Sequence, residues 1–510
     1  MRRHRSMQLS RRMGIGLLLF GFLCASSLEA SGTTARAALD RDRLNAFKGT
    51  GCSSLAIGVP DEGVDGISGA GQVHVLESIH AGATTTLVNH LPPFFNQDSE
   101  DSLYHPVEDQ VENSDSFGYS LAMGDFNADG YDDLAIGVPI ETIGTADFTG
   151  AVEVMYGSSN ALSAENDYLW NQGSPGMDGA LEESDEFGFS LAVGDFDGDG
   201  YYDLAIGVPY EDVGSPVVAD GGLVQIMYGS SVGLDNPGNQ IWDQSLSSIQ
   251  GTEEIQELFG YSLAAGDFDG DGFDDLAIGV PFDNYGGFDD TGGVNVLYGS
   301  SPNGLTGSGD QLINQDYGSI LDDCETSDHF GKALAEGDFN GDGRDDLAIG
   351  APMEDIFDDN NGMAAVLYGT AAGLGDAGNQ VWSYAQDEAH FGKSMTAGDF
   401  DGDGYDDLAV GIPDLDIDSL TETGAVSIIY GTSTGLDAVD RQLWHQDNIG
   451  VAENEDGDQF GYSLAAGDFD CDRIDDLAIG IPFKEINSMV SAGMLIEMHG
   501  STIGLSDSAA

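Results

Sequence analysis

Residues 195–209 read Asp195-Phe-Asp197-Gly-Asp199-Gly-Tyr201-Tyr-Asp203-Leu204-Ala-Ile-Gly-Val-Pro209, an acidic turn that runs straight into a short apolar strand. The same nine-residue acidic segment begins again at Asp125, Asp267, Asp338, Asp399 and Asp468. Positions 1, 3, 5 and 9 hold Asp125, Asn127, Asp129 and Asp133 in the first copy, and Asp195, Asp197, Asp199 and Asp203 in the second. They hold Asp267, Asp269, Asp271 and Asp275 in the third, and Asp338, Asn340, Asp342 and Asp346 in the fourth. The last two copies carry Asp399, Asp401, Asp403 and Asp407, then Asp468, Asp470, Asp472 and Asp476. Several carboxylates on one tight turn are the donor set of a hard cation such as Ca²⁺. Crowded this closely, they repel one another unless a cation lies between them. The expected cofactor is therefore Ca²⁺, at up to six sites. Position 12 is Ile136 or Val410 where an EF-hand needs a bidentate Glu, so these loops are a different class.

The apolar Leu-Ala-Ile/Val-Gly runs begin at Leu55, Leu134, Leu204, Leu276, Leu347, Leu408 and Leu477, a long and nearly regular period. Self-similarity of this kind marks a repeat architecture. Each unit reads as four strands. Phe-Gly-x-Ser-Leu-Ala-x-Gly, as in Phe117 to Gly124, precedes the acidic loop, and Leu-Ala-Ile-Gly follows it. Gly-x-Val-x-Val-x-Tyr-Gly, as in Gly150 to Gly157, is the third strand, and the fourth carries Trp170, Trp242, Trp382 or Trp444. Strands one and two are small and apolar throughout, as in sheets packed on both faces, while the third alternates as a half-buried strand does. Radial sheets around an axis leave few free edges. The predicted fold is an all-β, seven-bladed β-propeller of four-stranded antiparallel blades. Its expected span is 38–510, with blades near 38–116, 117–186, 187–258, 259–329, 330–390, 391–459 and 460–510.

Phe-Gly, acidic loop, Leu-Ala-Ile-Gly-x-Pro and Gly-Ala-Val (Gly150-Ala151-Val152, Gly424-Ala425-Val426) together resemble the FG-GAP repeat of the integrin α-subunit N-terminal propeller. Bacterial secreted FG-GAP proteins are similar. The resemblance implies that position 7 adds its backbone carbonyl to the cage, from Tyr131, Tyr201, Phe273, Arg344, Tyr405 and Ile474. It also implies ligand and partner-subunit binding on the face opposite the metal loops. Two repeats depart from the pattern. Repeat one, aligned over Ala46 to Ser54, lacks the ligand oxygens and should bind no calcium. The last loop has Arg473 at position 6, where the turn favours a residue without Cβ, so weaker binding is expected there.

With 15 Lys+Arg against 90 Asp+Glu, the chain carries a formal net charge of -75, which makes nucleic acid and anionic lipid poor partners. Twelve positive charges from six Ca²⁺ leave most of that deficit, so the remainder is a solvated acidic surface or faces a cationic partner. Residues 1–37, a basic stretch followed by the apolar Met13–Cys24 and ending at Ala35-Arg36-Ala37, are expected to be a secretory signal. The mature chain is then expected outside the cytoplasm: secreted, at the cell surface or periplasmic, without an integral membrane segment. Its three cysteines, Cys52, Cys324 and Cys471, form no metal-binding spacing. A Cys52–Cys471 staple becomes feasible if the ring makes repeats one and seven neighbours. Residues 31–45 are the candidate strand for closing that ring.

Catalytic patterns are thin. Gly118-Tyr-Ser120-Leu-Ala lacks the final glycine of a nucleophile elbow, and His329 and His390 precede Phe-Gly without a paired ligand. The expected function is binding or adhesion to a protein or glycan, through the loops 61–70, 80–111, 140–150, 210–222 and 354–362. The competing expectation is a polysaccharide-active hydrolase or lyase on the same fold.

Overall fold

A computed structural model describes residues 114–506 almost throughout, with interruptions at 159–161, 178, 319, 321–323, 357–359, 451–453 and 487–490. Before them it describes 53, 55–60, 62–63, 67–80, 85–89 and 95–96. The leader (1–37), the proposed closing strand (31–45), Cys52 and most of loop 80–111 lie outside the described residues.

Six blades surround an axis, one for each of repeats two to seven. Each is headed by an inner strand: Leu121–Gly124, Ser190–Gly194, Ser262–Gly266, Ala333–Gly337, Met395–Gly398 and Ser463–Gly467. Repeats two to six are complete antiparallel sheets of four strands; repeat seven shows three among the described residues, the third being Met494–Met498. Seven four-stranded blades were expected, and this is the correction: counted by inner strands, the propeller has six blades, five of them four-stranded. Repeat one supplies a three-stranded sheet, Leu55–Val59, Gln72–His80 and Thr85–Asn89, with no such inner strand among the described residues. The physical reason lies in the sequence. The residues just before Leu55 lack the Ser-Leu-Ala-x-Gly segment that forms the axial strand in the other repeats. The repeat-one sheet fits between the first and last blades, with Leu55 and Leu76 packed against Ala465, Phe469 and Ala478. On its other side Ala56, Val73 and Val75 pack against Phe117, Leu134 and Ile136.

The second strands are fully buried, as their unbroken apolar sequence requires. Core clusters lie between blades: Val294, Val296 and Ile313 of one blade meet Leu347, Ile349 and Leu367 of the next. The Phe-Gly and Gly-Ala elements of the repeat meet across this seam. Gly150, which opens one third strand, forms a parallel bridge with Phe187 of the following blade. Its φ is 78°, and a Cβ there would lie 2.3 Å from the Phe187 nitrogen, so only glycine fits. The same bridge recurs at Gly292–Phe330, Gly362–Phe391 and Gly424–Phe460. Phe117, Phe187, Phe259, Phe330, Phe391 and Phe460 are all fully buried. Each such ring removed from water stabilises by roughly 1.5–3 kcal/mol. Inner-strand serines add a second tie, with Ser120, Ser190, Ser262 and Ser394 donating to Gly188, Gly260, Gly331 and Gly461 carbonyls at 2.7 Å. Ser120 is thus a structural donor. Cys471 is disulfide-bonded and Cys324 is a free, buried thiol. No helix among the described residues is long and apolar enough to cross a membrane.

Candidate metal centres

Each acidic loop joins an inner strand to its Leu-Ala-Ile strand, and the nine-residue spacing is held by side-chain bonds back to the loop's own amides. In the second copy Asp195 accepts the Asp199 and Gly200 N–H groups at 3.1 and 3.2 Å. Asp197 also accepts from Asp199, and Asp199 accepts from Tyr201 at 3.0 Å. Asp203, buried at the start of the next strand, accepts Phe196 N–H at 2.9 Å and Gly229 N–H at 2.8 Å. The pattern recurs from Asp125 (Asn127, Asp129, Asp133), Asp267 (Asp269, Asp271, Asp275) and Asp399 (Asp401, Asp403, Asp407). In the fourth copy Asp338 and Asp342 hold their places, while Asn340 Nδ2 donates to both oxygens of Asp346 at 3.2 and 3.1 Å.

Because the turn amides take up only part of each carboxylate's capacity, the remaining lone pairs converge. Ligand oxygens of Asp195, Asp197 and Asp199 lie within 4.8 Å of one another, as do those of Asp267, Asp269 and Asp271 and of Asp399, Asp401 and Asp407. Burial, with neighbouring loop carboxylates adding to it against the bonds from backbone N–H groups, pushes the position-9 acids far up. Asp133, Asp203 and Asp346 rise to about 8, Asp275 and Asp407 to about 9. A cation among these acids would favour their ionised form. The donor set fits a hard oxygen-seeking cation, and the residues present would hold it at positions 1, 3, 5 and 9.

Two roles escaped the sequence reading. Position 8 belongs to the preceding loop: Asp274, Asp345, Asp406 and Asp475 accept the N–H of Asp195, Asp267, Asp338 and Asp399 at 2.8–3.1 Å. The repeated Asp-Asp doublet was the available signal. Position-7 side chains also cross to the preceding loop. A Cβ on Gly341 would sit 2.5 Å from the Tyr405 ring, and one on Gly270 2.7 Å from Arg344. Ser53, at position 8 of the degenerate first loop, takes the same part toward the last loop. It donates its N–H to Asp468 O at 2.8 Å, and its Oγ accepts from Asp468 N–H at 3.2 Å.

The last loop is the outlier. Cys471 and Arg473 occupy left-handed conformations (φ 68° and 74°) where other loops carry glycine or alanine, in line with the strain expected at Arg473. Asp468, Asp470 and Asp472 keep the usual amide bonds, and Asp476 accepts Phe469 N–H at 2.8 Å and Gly500 N–H at 2.9 Å. His499, from the end of the third strand, enters this cluster and was not foreseen. Its Nδ1 lies 3.4 Å from Asp476, 3.6 Å from Asp470 and 3.9 Å from Glu497.

Strand order puts all acidic loops on one face and the hairpins between second and third strands on the other. On that opposite face Phe148, Val217, Tyr285 and Phe288 are exposed. At the axis lies a cavity of about 280 Å³ lined mainly by Leu, Ala, Ser and aromatic side chains of the inner strands. Among its lining residues Tyr119, Phe189 and Tyr261 pack as tilted ring pairs with centroids 5.0–5.1 Å apart. His390 and His329 flank this region: His390 pairs with Asp414 at 2.6 Å, and His329 packs on Phe282.

The FG-GAP repeat family model matches residues 117–155, 187–227, 259–297, 330–367 and 391–429. Among curated proteins, Integrin alpha-PS2 of Drosophila melanogaster is 33% identical over 244 residues, 46% of this chain and 16% of that protein. Integrin alpha-5 of Xenopus laevis is 32% identical over 44% of this chain and 20% of its own length. A phosphatidylinositol-glycan-specific phospholipase D of Rattus norvegicus is 33% identical over 40% of this chain and 24% of its length. The match thus spans about a quarter or less of each of these relatives. A solved rhamnogalacturonan lyase, YesW, aligns at a TM-score of 0.35 and 14% identity, over 74% of this chain and 66% of that one. That likeness is too slight to bear on function.

Proposed function

Because this chain is an FG-GAP repeat protein of the integrin-α-like kind, we propose that it is an extracellular, calcium-stabilised binding module for a protein or glycan ligand. Residues 1–37 serve as its export leader and 38–510 as the propeller. Calcium sits in the six acidic loops, with the position-7 carbonyls completing each cage. The ligand docks on the face opposite these loops.

One observation carries this reading: the acidic turns are bonded loop to loop along one face, while exposed Phe148, Val217, Tyr285 and Phe288 stand on the other. Large exposed apolar side chains rimmed by acids mark an interaction face. The apolar axial cavity, with the hydroxyls of Ser120, Ser190, Ser262 and Ser394 committed to neighbouring carbonyls, supports binding over hydrolysis. A glycan and protein array probed with calcium and with chelator tests it. Ligand capture that requires calcium and falls on replacing Tyr285 and Phe288 by Ser is expected. Calcium-independent capture insensitive to those changes would count against this face.

A further inference from the structure

The last acidic loop carries a donor set unlike the other five. Strand register aligns Glu497 with Val154, Ile226, Val296, Val366 and Ile428, since each pairs with the alanine of its Leu-Ala strand. Those five apolar residues are fully buried in the core between blades. Two residues further on, His499 stands where the other blades carry Tyr156, Tyr228, Tyr298, Tyr368 and Tyr430. Those tyrosine hydroxyls accept N–H bonds from the next blade, as Tyr156 does from Leu234 and Tyr430 from Leu505, both at 3.1 Å. The last blade faces the repeat-one sheet instead, and its two exceptional residues turn their donors onto the acidic loop.

His499 Nδ1 is buried and makes no hydrogen bond. It faces Asp476 Oδ1 at 3.4 Å, Asp470 Oδ2 at 3.6 Å and Glu497 Oε1 at 3.9 Å, all beyond the usual N–H···O range. Two donors about 2.0–2.2 Å from a shared tetrahedral ion stand about 3.4 Å apart, so the gap has the size of an ion rather than of a proton. Calcium takes oxygen ligands, whereas an imidazole nitrogen beside carboxylates suits zinc and its first-row neighbours. We infer that Asp470, Asp476, Glu497 and His499 form a site for a zinc-class divalent transition ion, different in selectivity from the five oxygen-only loops. This rests on the proposed reading of the acidic loops only in sharing Asp470 and Asp476 with the last of them, where the transition ion takes the place of the sixth calcium.

The test uses the untagged full-length mature chain, stripped with chelator, then dialysed against excess calcium chloride with equimolar zinc chloride and analysed for both metals. One zinc per chain is expected. His499→Gln should weaken zinc retention by at least about tenfold, with calcium in the other five loops unchanged. His499→Tyr, which restores the residue of the other blades, should do the same and guards against a folding defect. Zinc content that survives both substitutions overturns the inference. So does wild-type protein that fills with calcium yet takes no zinc, which would leave His499 as a protonated imidazolium in the gap. Zinc bound through His499 without calcium elsewhere would sustain this site and sink the calcium reading instead.

Discussion

Asp345 shows how one carboxylate joins two blades. Its backbone belongs to the fourth acidic loop, while its side chain accepts the N–H of Asp267 in the third at 2.9 Å. Removing a charged acceptor from a buried amide costs about 1–3 kcal/mol. Asp345→Ala should therefore lower the thermal midpoint by several degrees in saturating calcium and weaken calcium retention in the third loop. Asp345→Asn, which keeps an acceptor, should lose less. Equal midpoints for wild type and Asp345→Ala by calorimetry would show that the loops are not coupled in this way. At the cage itself, Asp275→Asn should remove about one calcium per chain by elemental analysis, because position 9 supplies the buried charge.

Within the blade, a second set of acids lies on the side away from the acidic loops. Asp185 and Glu211 are buried together, with Gln172 donating to Glu211 at 2.6 Å. Glu257/Asp283 and Asp328/Glu354 occupy the equivalent places in the next two blades. In repeat six the same positions are the core residues Ala389 and Leu415, and in repeat seven Asp458 pairs with Lys484 at 3.0 Å. The chain thus contains three solutions to one buried contact. Burial raises Asp185 to about 6, Glu211 to about 8, Asp283 to about 7 and Glu257 to about 9. Groups raised in the folded state stabilise it fully only below their unfolded pKa near 4, and that contribution is lost as pH climbs through 6–9. With calcium saturating, thermal midpoints should fall between pH 5 and pH 9. Asp185→Ala combined with Glu211→Leu, copying repeat six, should raise the midpoint at pH 8 and flatten the profile, since an apolar pair often replaces a buried polar one without loss. A variant less stable than wild type at pH 8 would contradict this.

At the scale of the whole molecule, stability depends on the ring remaining closed. Extracellular calcium modules bind at about 10⁻⁴–10⁻³ M, so at the proposed sites millimolar calcium would add roughly 0.5–1.5 kcal/mol each. Several sites sum to an amount comparable with a domain's net stability of about 5–15 kcal/mol. Excess chelator should lower the melting temperature by many degrees. An unchanged melt would mean that the blades hold without the ions.

Much of this was legible in the chain because a repeat presents the same local problem many times. Six copies of one turn made carboxylates at positions 1, 5 and 9 stand out from an acidic background, and the Phe-Gly and Gly-Ala elements marked strands whose buried faces were set by period alone. Cross-blade roles were not legible. Asp345 and Ser53 each act on a residue of the neighbouring repeat, 78 and 415 positions away, and spacing within one repeat carries no information about such partners; His499 acts inside its own blade, where its departure from the tyrosine of the other repeats was the available signal. Blade count failed for a related reason: the motif can be counted seven times, yet whether a repeat completes an inner and an outer strand depends on what packs at the axis and at the seam.

The amino-acid order therefore determined the strands, the acidic turns and the carboxylates proposed to hold an ion, since all of these arise from contacts within a few residues. The tertiary structure alone decided that six inner strands line the axis, that each loop is braced by the next, and that one loop gains an imidazole. The first two outcomes follow from packing between blades, where distant segments must share the same space, and the third from strand pairing inside the last blade.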